Sequence, residues 1–175
     1  MDVIFKNIWT LNAFVLLASF PLMTSAITGG VPYCLQQNTN DLYLGQEPVL
    51  NTDRTDAFTS NVRFKKQVTW NAEVVTGTTN QYKIKNLFEG YLLAVDKTRA
   101  TTNEASVITR ITTPDDSSVV WTLETYPTHV FLKNNFNGQY LYAPNTGARN
   151  LALTRPLPPD DQDHYKWKFV DCSTL

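Results

Sequence analysis

The chain has 175 residues, which suits a single domain. Its 15 Lys and Arg residues balance 16 Asp and Glu residues, so the composition gives no support for nucleic acid or an anionic membrane as a partner. Hydrophobic residues make up 42% of the chain, which is ordinary for a globular protein and argues against disorder.

The first predicted element is a secretory signal peptide at residues 1–26. Lys6 supplies a weak positive charge, residues 11–22 are mostly apolar, and Thr24-Ser25-Ala26 offers the small residues that signal peptidase reads. The apolar stretch is shorter than the roughly 20 residues that a membrane anchor would need. We therefore expect cleavage after Ala26, and a secreted, extracellular protein whose mature part, residues 27–175, is one domain without a membrane span.

The mature chain has two cysteines, Cys34 and Cys172, near its two ends. An even count in an exported protein indicates a disulfide, with two free buried thiols as the alternative. The bond would close a loop of almost the whole domain and contribute at most about 5 kcal/mol to stability. Besides these two cysteines the chain has only two histidines that could bind zinc, so a metal site is not expected.

Three units then follow that share the same three sequence features. Each opens with a short apolar strand, passes through a polar or glycine-containing turn to a Tyr-Leu pair, and closes on a tryptophan. The Tyr-Leu pairs lie 48 and 49 residues apart and the tryptophans 51 and 46 residues apart. A period of this size indicates a repeat architecture. The units cover about residues 31–75, 82–126 and 130–172.

Within each unit the apolar runs are short and are bounded by Asn, Gly, Asp and Pro, a pattern typical of strands. No run of ten or more residues of the mature chain shows a convincing helical period. We therefore predict four strands in each unit and very little helix in the chain. One four-strand unit cannot bury its apolar face alone, whereas three can share a core and close their edges. A propeller typically needs at least four such blades.

The repeated pattern resembles the β-trefoil superfamily, which includes ricin-B-like lectins, fascin-like modules, Kunitz-type plant inhibitors and secreted effectors. The resemblance covers residues 31–172, and it implies an all-β fold of three repeats of roughly 48 residues with pseudo-threefold symmetry. In such folds the first and last strands are neighbours, so the resemblance also implies that Cys34 and Cys172 can meet. It does not identify a specific family.

The repeated residues are interpreted as core. We expect three leucines to point into the barrel: Leu44, Leu92 and Leu141. Three tryptophans should pack near them: Trp70, Trp121 and Trp167. We interpret the three tyrosines after the turns mainly as structural residues, and alternatively as part of a ligand-binding face: Tyr43, Tyr91 and Tyr140.

A lectin is one predicted function. Ricin-type lectins carry Gln-x-Trp in their repeats, with a sugar-binding Asp nearby. Two residues before the tryptophans this chain has Val68, Val119 and Tyr165. Asp96 follows the second Tyr-Leu pair, but Gln46 and Asn145 stand in its place in the other units. The ricin-type site therefore cannot be carried over, and glycan binding depends on the fold and on polar turn residues.

Two alternatives use exposed loops. A protease inhibitor could present residues 155–163, where Arg155 precedes a proline-rich, stiff segment, although the Kunitz pattern is not matched. The loop at residues 96–104, with Lys97 and Arg99, is a second contact candidate. A secreted effector that acts on a host or cell-surface protein would use the same loops.

An enzyme is not expected, because the chain has no G-x-S-x-G motif and its cysteines are assigned to the disulfide. The run Asp160-Asp161-x-Asp163 lacks the ligand spacing and glycine of a calcium loop. No cofactor is expected. We predict a monomer that binds a glycan or an extracellular protein, with these ligand-binding candidates: Asp96, Lys97, Arg99, Arg155, Asp160 and Asp161.

Overall fold

The computed structural model describes residues 31–48, 53–61, 65–111, 116–144 and 149–174. The predicted signal peptide at residues 1–26 lies outside them. Among the described residues the only α-helix is α1 (Lys65–Val68), a single turn. The strands are β1 (Pro32–Gln37), β2 (Tyr43–Gln46), β3 (Arg54–Ser60), β4 (Thr69–Val74), β5 (Gln81–Asn86), β6 (Leu92–Val95), β7 (Ala105–Arg110), β8 (Val120–Thr125), β9 (Val130–Asn134), β10 (Tyr140–Tyr142), β11 (Leu153–Arg155) and β12 (Trp167–Asp171).

Six of these strands close a barrel. Strand β1 pairs with β4, β4 with β5, β5 with β8, β8 with β9, β9 with β12, and β12 returns to β1, all antiparallel. Each repeat therefore contributes its first and fourth strands. Closure pairs both edges of every barrel strand, which protects them from aggregation.

The second and third strands of each repeat form a hairpin, and the three hairpins cap the barrel. Strand β7 pairs with both β3 and β11, and a bridge between Phe58 and Leu151 joins the remaining side. A six-stranded barrel capped by three hairpins is a β-trefoil. The prediction of an all-β trefoil with very little helix is confirmed.

The barrel core contains one leucine and one tryptophan from each repeat, and each pair shares a hydrogen bond. The indole N–H of the tryptophan donates to the carbonyl of the leucine, so the largest side chains are buried with their polar atom satisfied. The bonds run from Trp70, Trp121 and Trp167 to Leu44, Leu93 and Leu141, at 2.9, 2.9 and 3.2 Å respectively. All six residues belong to one buried cluster, which confirms the tryptophans as core.

The prediction that Leu92 points into the barrel is wrong by one residue. Leu93 is fully buried, whereas Leu92 is partly buried outside the main core. Equivalent hydrogen bonds close the turns of the first two repeats, from the Gln37 N–H to the Leu42 carbonyl and from the Asn86 N–H to the Tyr91 carbonyl. Tyr91 therefore corresponds to Leu42, and not to Tyr43. The sequence is ambiguous here because Leu92 and Leu93 are both apolar, and strand alternation then cannot show which one faces inward.

The turns between the first and second strands of the repeats share one geometry. Each contains one residue with positive φ: Asp41 (55°), Gly90 (77°) and Gly138 (67°). Glycine adopts this conformation without steric cost, and Asp tolerates it. In the second and third repeats the turn also carries an aromatic residue at the same position, Phe88 and Phe136.

Cys34 in β1 and Cys172 just after β12 form a disulfide, with a Cα–Cα distance of 5.3 Å. The predicted pairing is confirmed, and it joins two strands that are already hydrogen-bonded neighbours. Within the described residues, no helix has the length and apolar character that crossing a membrane requires.

Candidate functional site

An open groove with a volume of about 640 Å³ lies where the second and third repeats meet. Two segments form its walls, the loop at residues 96–104 and the turn between β9 and β10. The lining combines an aromatic ring with small, hydroxyl and amide side chains: Ala100, Thr101, Thr102, Phe136, Asn137, Gly138, Gln139 and Pro156. Such a mixture is typical of a ligand site that needs both contact area and hydrogen bonds.

The wall from the second repeat is shaped by Thr101. Its Oγ1 donates to the Glu104 carbonyl at 2.8 Å and accepts from the Glu104 N–H at 3.0 Å. These local bonds make a tight turn at the tip of the loop. The next side chain, Thr102, makes no hydrogen bond within the described part of the chain, so its hydroxyl is open to a ligand.

The wall from the third repeat is fixed by amide side chains. Asn137 Oδ1 accepts from the Gln139 N–H at 3.1 Å, which holds the turn. Gln139 is buried, and its Nε2 donates to the carbonyls of Thr101 and Thr102 at 3.3 and 2.9 Å. This side chain ties one wall to the other, so the groove is formed before any ligand arrives.

Phe136 is the aromatic side chain of the groove, and it is 41% exposed. Its N–H donates to Asn134 Oδ1 at 3.0 Å, which fixes the backbone of the turn. Lys97 Nζ lies 5.1 Å from the ring centroid, a cation–π contact. The turn therefore presents an aromatic surface in a set position, in the same groove as Thr102.

Asp96 is buried and bonded by its own loop, and its Oδ2 also lies 3.5 Å from Arg54 Nη1 of β3. Its Oδ1 accepts from the N–H and Oγ1 of Thr98 at 3.0 and 2.7 Å, and its Oδ2 accepts from Arg99 Nε. Burial by itself would raise the pKa of Asp96, but the hydrogen bonds from Thr98 and Arg99 outweigh it and lower the pKa to about 2. The carboxylate therefore stabilises the loop.

The sheet register also changes the comparison of Asp96 with the other repeats. Gln46 ends β2 opposite Ala57, and Val95 ends β6 opposite Val107, so Gln46 is the counterpart of Val95. The next residue, Glu47, is therefore the counterpart of Asp96. The third position that the sequence suggested, Asn145, lies outside the described residues.

Lys97 is held between Phe136 and a buried carboxylate. Its Nζ lies 2.8 Å from Asp116 Oδ1, which also accepts from the N–H and Oγ of Ser118 at 2.9 and 2.7 Å. Burial would raise the pKa of Asp116, but the bonds from Lys97 and Ser118 lower it to about 2. Lys97 is thus placed beside the groove with its charge already paired.

Arg155 precedes Pro156, which lines the groove. Its Nε and Nη2 donate to Glu104 Oε2 at 3.2 and 2.8 Å, and its guanidinium lies 4.5 Å from the centroid of the Tyr142 ring. The structure therefore brings Lys97 and Arg155, two predicted site residues, to the two flanks of one groove. Arg99 instead bonds Asp96 and Asp56, towards the first repeat.

Asp160 and Asp161 lie apart from these residues, exposed in the loop at residues 155–163. Two hydrogen bonds hold this loop. The Tyr165 hydroxyl donates to the Pro156 carbonyl at 3.2 Å, and Gln162 Nε2 donates to the Pro158 carbonyl at 2.9 Å. The loop is therefore a stiff, acidic projection beside the groove.

Neither histidine lines the groove. His129 stacks on Tyr126 with centroids 4.9 Å apart, and burial, helped by nearby Lys166, lowers its pKa. His164 contacts the Tyr142 ring edge-on at 5.7 Å. In the described ranges, no group of three His, Cys, Asp or Glu side chains is arranged to hold a metal ion.

Three important groove residues were not predicted as site residues: Thr102, Phe136 and Gln139. Phe136 carries a usable signal, because an aromatic residue inside a glycine-terminated turn has little room to be buried. Thr102 and Gln139 carry none, since their role depends on a contact between two repeats that are far apart along the chain.

No model of a known protein family matches the chain, and no curated protein matches it. Solved structures do match. The designed threefold symmetric protein ThreeFoil has a TM-score of 0.69 and 19% identity, over 80% of this chain and 98% of that chain. A Polyporus squamosus lectin, bound to a human-type influenza-binding epitope, has a TM-score of 0.67 and 16% identity, over 81% of this chain and 49% of that one.

A mosquitocidal holotoxin also matches, with a TM-score of 0.67 and 14% identity, over 80% of this chain and 17% of that chain. At these identities the matches establish the β-trefoil fold alone. The class of protein is therefore a β-trefoil, and its structural neighbours include lectins and toxins.

Proposed function

We propose that the protein is a non-enzymatic glycan-binding protein, and that its binding site is the groove between the second and third repeats. The observation that carries the proposal is that the exposed Phe136 and the Thr102 side chain line one groove, in walls that Gln139 ties together. A sugar ring has C–H groups on its faces and hydroxyls around its rim. It can therefore stack on Phe136 while it bonds Thr102.

Preorganisation supports the proposal. Binding a flexible oligosaccharide costs conformational freedom, and a groove that also had to form would cost more. Here both walls are fixed by hydrogen bonds within the protein, so no further ordering of the groove is needed. The occurrence of a lectin among the structural neighbours supports the same function, as an analogy of fold.

A glycan array tests the proposal with two matched variants. Phe136→Ala removes the ring of the groove, and we expect it to weaken binding at least about tenfold, a loss of ~1.4 kcal/mol. Phe88→Ala is the control, because Phe88 is 39% exposed and occupies the same turn position in the second repeat, outside the groove. It should leave binding unchanged.

Failure to bind any glycan would contradict the proposed function. Equal losses in the two variants would contradict the assignment of the groove.

A protein target is the second candidate, and the stiff loop at residues 155–163 is the observation that favours it. Tyr165 and Gln162 donate hydrogen bonds to the carbonyls of Pro156 and Pro158, which restricts the conformation of the loop. Stoichiometric inhibition of a protease, lost in Arg155→Ala, would support the inhibitor form of this candidate. Capture of a partner without inhibition would support the effector form. Unchanged capture after Asp160→Lys would count against this loop.

We also propose that the protein is exported. The disulfide between Cys34 and Cys172 supports this, since such bonds persist mainly in oxidising compartments. Expression in a secreting host, followed by N-terminal sequencing of the medium, should find a chain that begins at Ile27. Retention of residues 1–26 in the cell-associated protein would contradict cleavage.

A further inference from the structure

We propose that the groove selects uncharged glycans over sialylated, uronic acid-containing or sulfated ones. This inference rests on the proposed glycan-binding function and adds the charge class of the ligand. It follows from how the two cationic side chains that flank the groove, Lys97 and Arg155, are used within the protein.

Lys97 already has a carboxylate partner that is fixed in place. Its Nζ lies 2.8 Å from Asp116 Oδ1, and Asp116 is buried and bonded by Ser118 on the same oxygen. The Lys97 ammonium also lies over the Phe136 ring. Asp116 also pairs with Arg110 at 3.5 Å, which helps to hold the carboxylate in place. The Lys97 ammonium is therefore engaged within the protein and is not directed at a ligand in the groove.

Arg155 is paired in a similar way on the other flank. Its Nε and Nη2 both donate to Glu104 Oε2, and the guanidinium packs on the Tyr142 ring. The backbone of Glu104 is held by the Thr101 hydroxyl, which bonds the Glu104 N–H and carbonyl. The geometry keeps the carboxylate between the guanidinium and the tip of the loop that lines the groove.

An anionic ligand would have to compete with these carboxylates for the two cations. A carboxylate on the same chain acts at an effective concentration of the order of millimolar or higher, which a weakly bound ligand anion does not match. The exposed ion pair gained in exchange would also be weak in water and salt. A neutral sugar does not compete for the two cations, because it would use the exposed part of Phe136 and the Thr102 hydroxyl.

The test uses an array of matched sets, each a neutral oligosaccharide with its sialylated and sulfated counterparts, probed with the full mature protein. We expect the neutral member to bind at least about tenfold more tightly than its anionic counterparts. Its Kd should change less than about twofold between roughly 0.05 and 0.5 M NaCl, because no ionic contact is screened.

Glu104→Gln removes the carboxylate that occupies Arg155, and it should raise the affinity for the anionic members at least about threefold relative to the neutral ones. Asp163→Asn is the matched control. It removes the carboxylate partner of Lys166, 2.7 Å away and outside the groove lining, and it should leave the ratio unchanged.

A preference of the wild-type protein for anionic glycans would overturn this inference alone. So would the absence of any gain in Glu104→Gln. Binding to no member of either class would overturn the proposed function, and this inference with it.

Discussion

At the residue scale, the core depends on a leucine–tryptophan pair that each repeat supplies. The sequence identifies all three tryptophans and two of the leucines, because Trp70, Trp121 and Trp167 recur at nearly fixed spacing. It misplaces the third leucine, because two apolar residues in succession remove the alternation that separates the two faces of a strand. The hydrogen bond from Trp121 to the Leu93 carbonyl settles the register.

The register can be tested by comparing two adjacent leucines. Leu93→Ala should lower the free energy of unfolding by about 2–5 kcal/mol, because it leaves a cavity in the barrel core. Leu92→Ala should cost clearly less, since Leu92 is only partly buried. Urea denaturation of both variants measures the difference. A larger loss in Leu92→Ala would show that the register is wrong.

Buried carboxylates make stability depend on pH. The folded protein lowers the pKa of Asp96 from 3.8 to about 2, and it lowers the pKa of Asp116 similarly. A lowered pKa stabilises the fold above the unfolded pKa, and that stabilisation is lost as the pH falls towards the folded pKa. The free energy of unfolding should therefore fall between about pH 4 and pH 2.

Asp96→Asn isolates one of these groups. The variant should be less stable than the wild type at pH 7, because it removes the ion pairs that Asp96 makes with Arg99 and Arg54, and Arg99 keeps only Asp56. It should also lose less stability between pH 4 and pH 2, since one titrating group is gone. Parallel pH profiles for the two proteins would be evidence against the role assigned to Asp96.

At the element scale, two turns of the same geometry have different surroundings. Asn86 and Asn134 each hold their turn with one oxygen and bond two carbonyls of a neighbouring strand segment with Nδ2. The turn after β9 meets the loop at residues 96–104 of the second repeat and forms the groove with it. The sequence predicts both turns from their Asn and Gly residues, but not which turn forms the groove.

This difference leads to a matched pair of variants. Asn134→Ala and Asn86→Ala should each cost about 1–3 kcal/mol of stability, because each removes a buried amide that bonds its own turn and a carbonyl, that of Ser118 or Gln67. Asn134→Ala should also weaken glycan binding, since the position of Phe136 is no longer fixed, whereas Asn86→Ala should not. Thermal unfolding and glycan titration of the two proteins provide the comparison. Equal glycan binding by the two variants would contradict the proposal that this groove is the binding site.

At the scale of the whole molecule, the fold was predictable because its repeat period is written along the entire chain. The groove was not, because it forms between residues 100–102 and 136–139, which belong to different repeats. Lys97 and Arg155 were predicted as separate loop residues, and the fold places them on two flanks of one groove. Sequence spacing carries no information about such a contact until the order of the strands is known.

The disulfide acts at this same scale, because it links the first and last strands of the barrel. Replacing both Cys34 and Cys172 with Ala should lower the free energy of unfolding by about 2–5 kcal/mol, chiefly because the unfolded chain is no longer closed into a loop. Urea denaturation measures this loss. The barrel pairing of β1 with β12 should survive, so the circular dichroism spectrum should be unchanged. Identical stability of the two proteins would contradict this account.

The most direct test of the central claim is to map a bound glycan on the protein by NMR. A neutral oligosaccharide that binds on the array would be titrated into isotope-labelled protein, and the shifts of the backbone amide signals followed. We expect the shifts to cluster at Thr101, Thr102, Phe136 and Gly138, on the two walls of the groove. Shifts centred instead on Asp160 and Asp161, or on the equivalent turn at Phe88, would contradict the claim that this groove is the binding site.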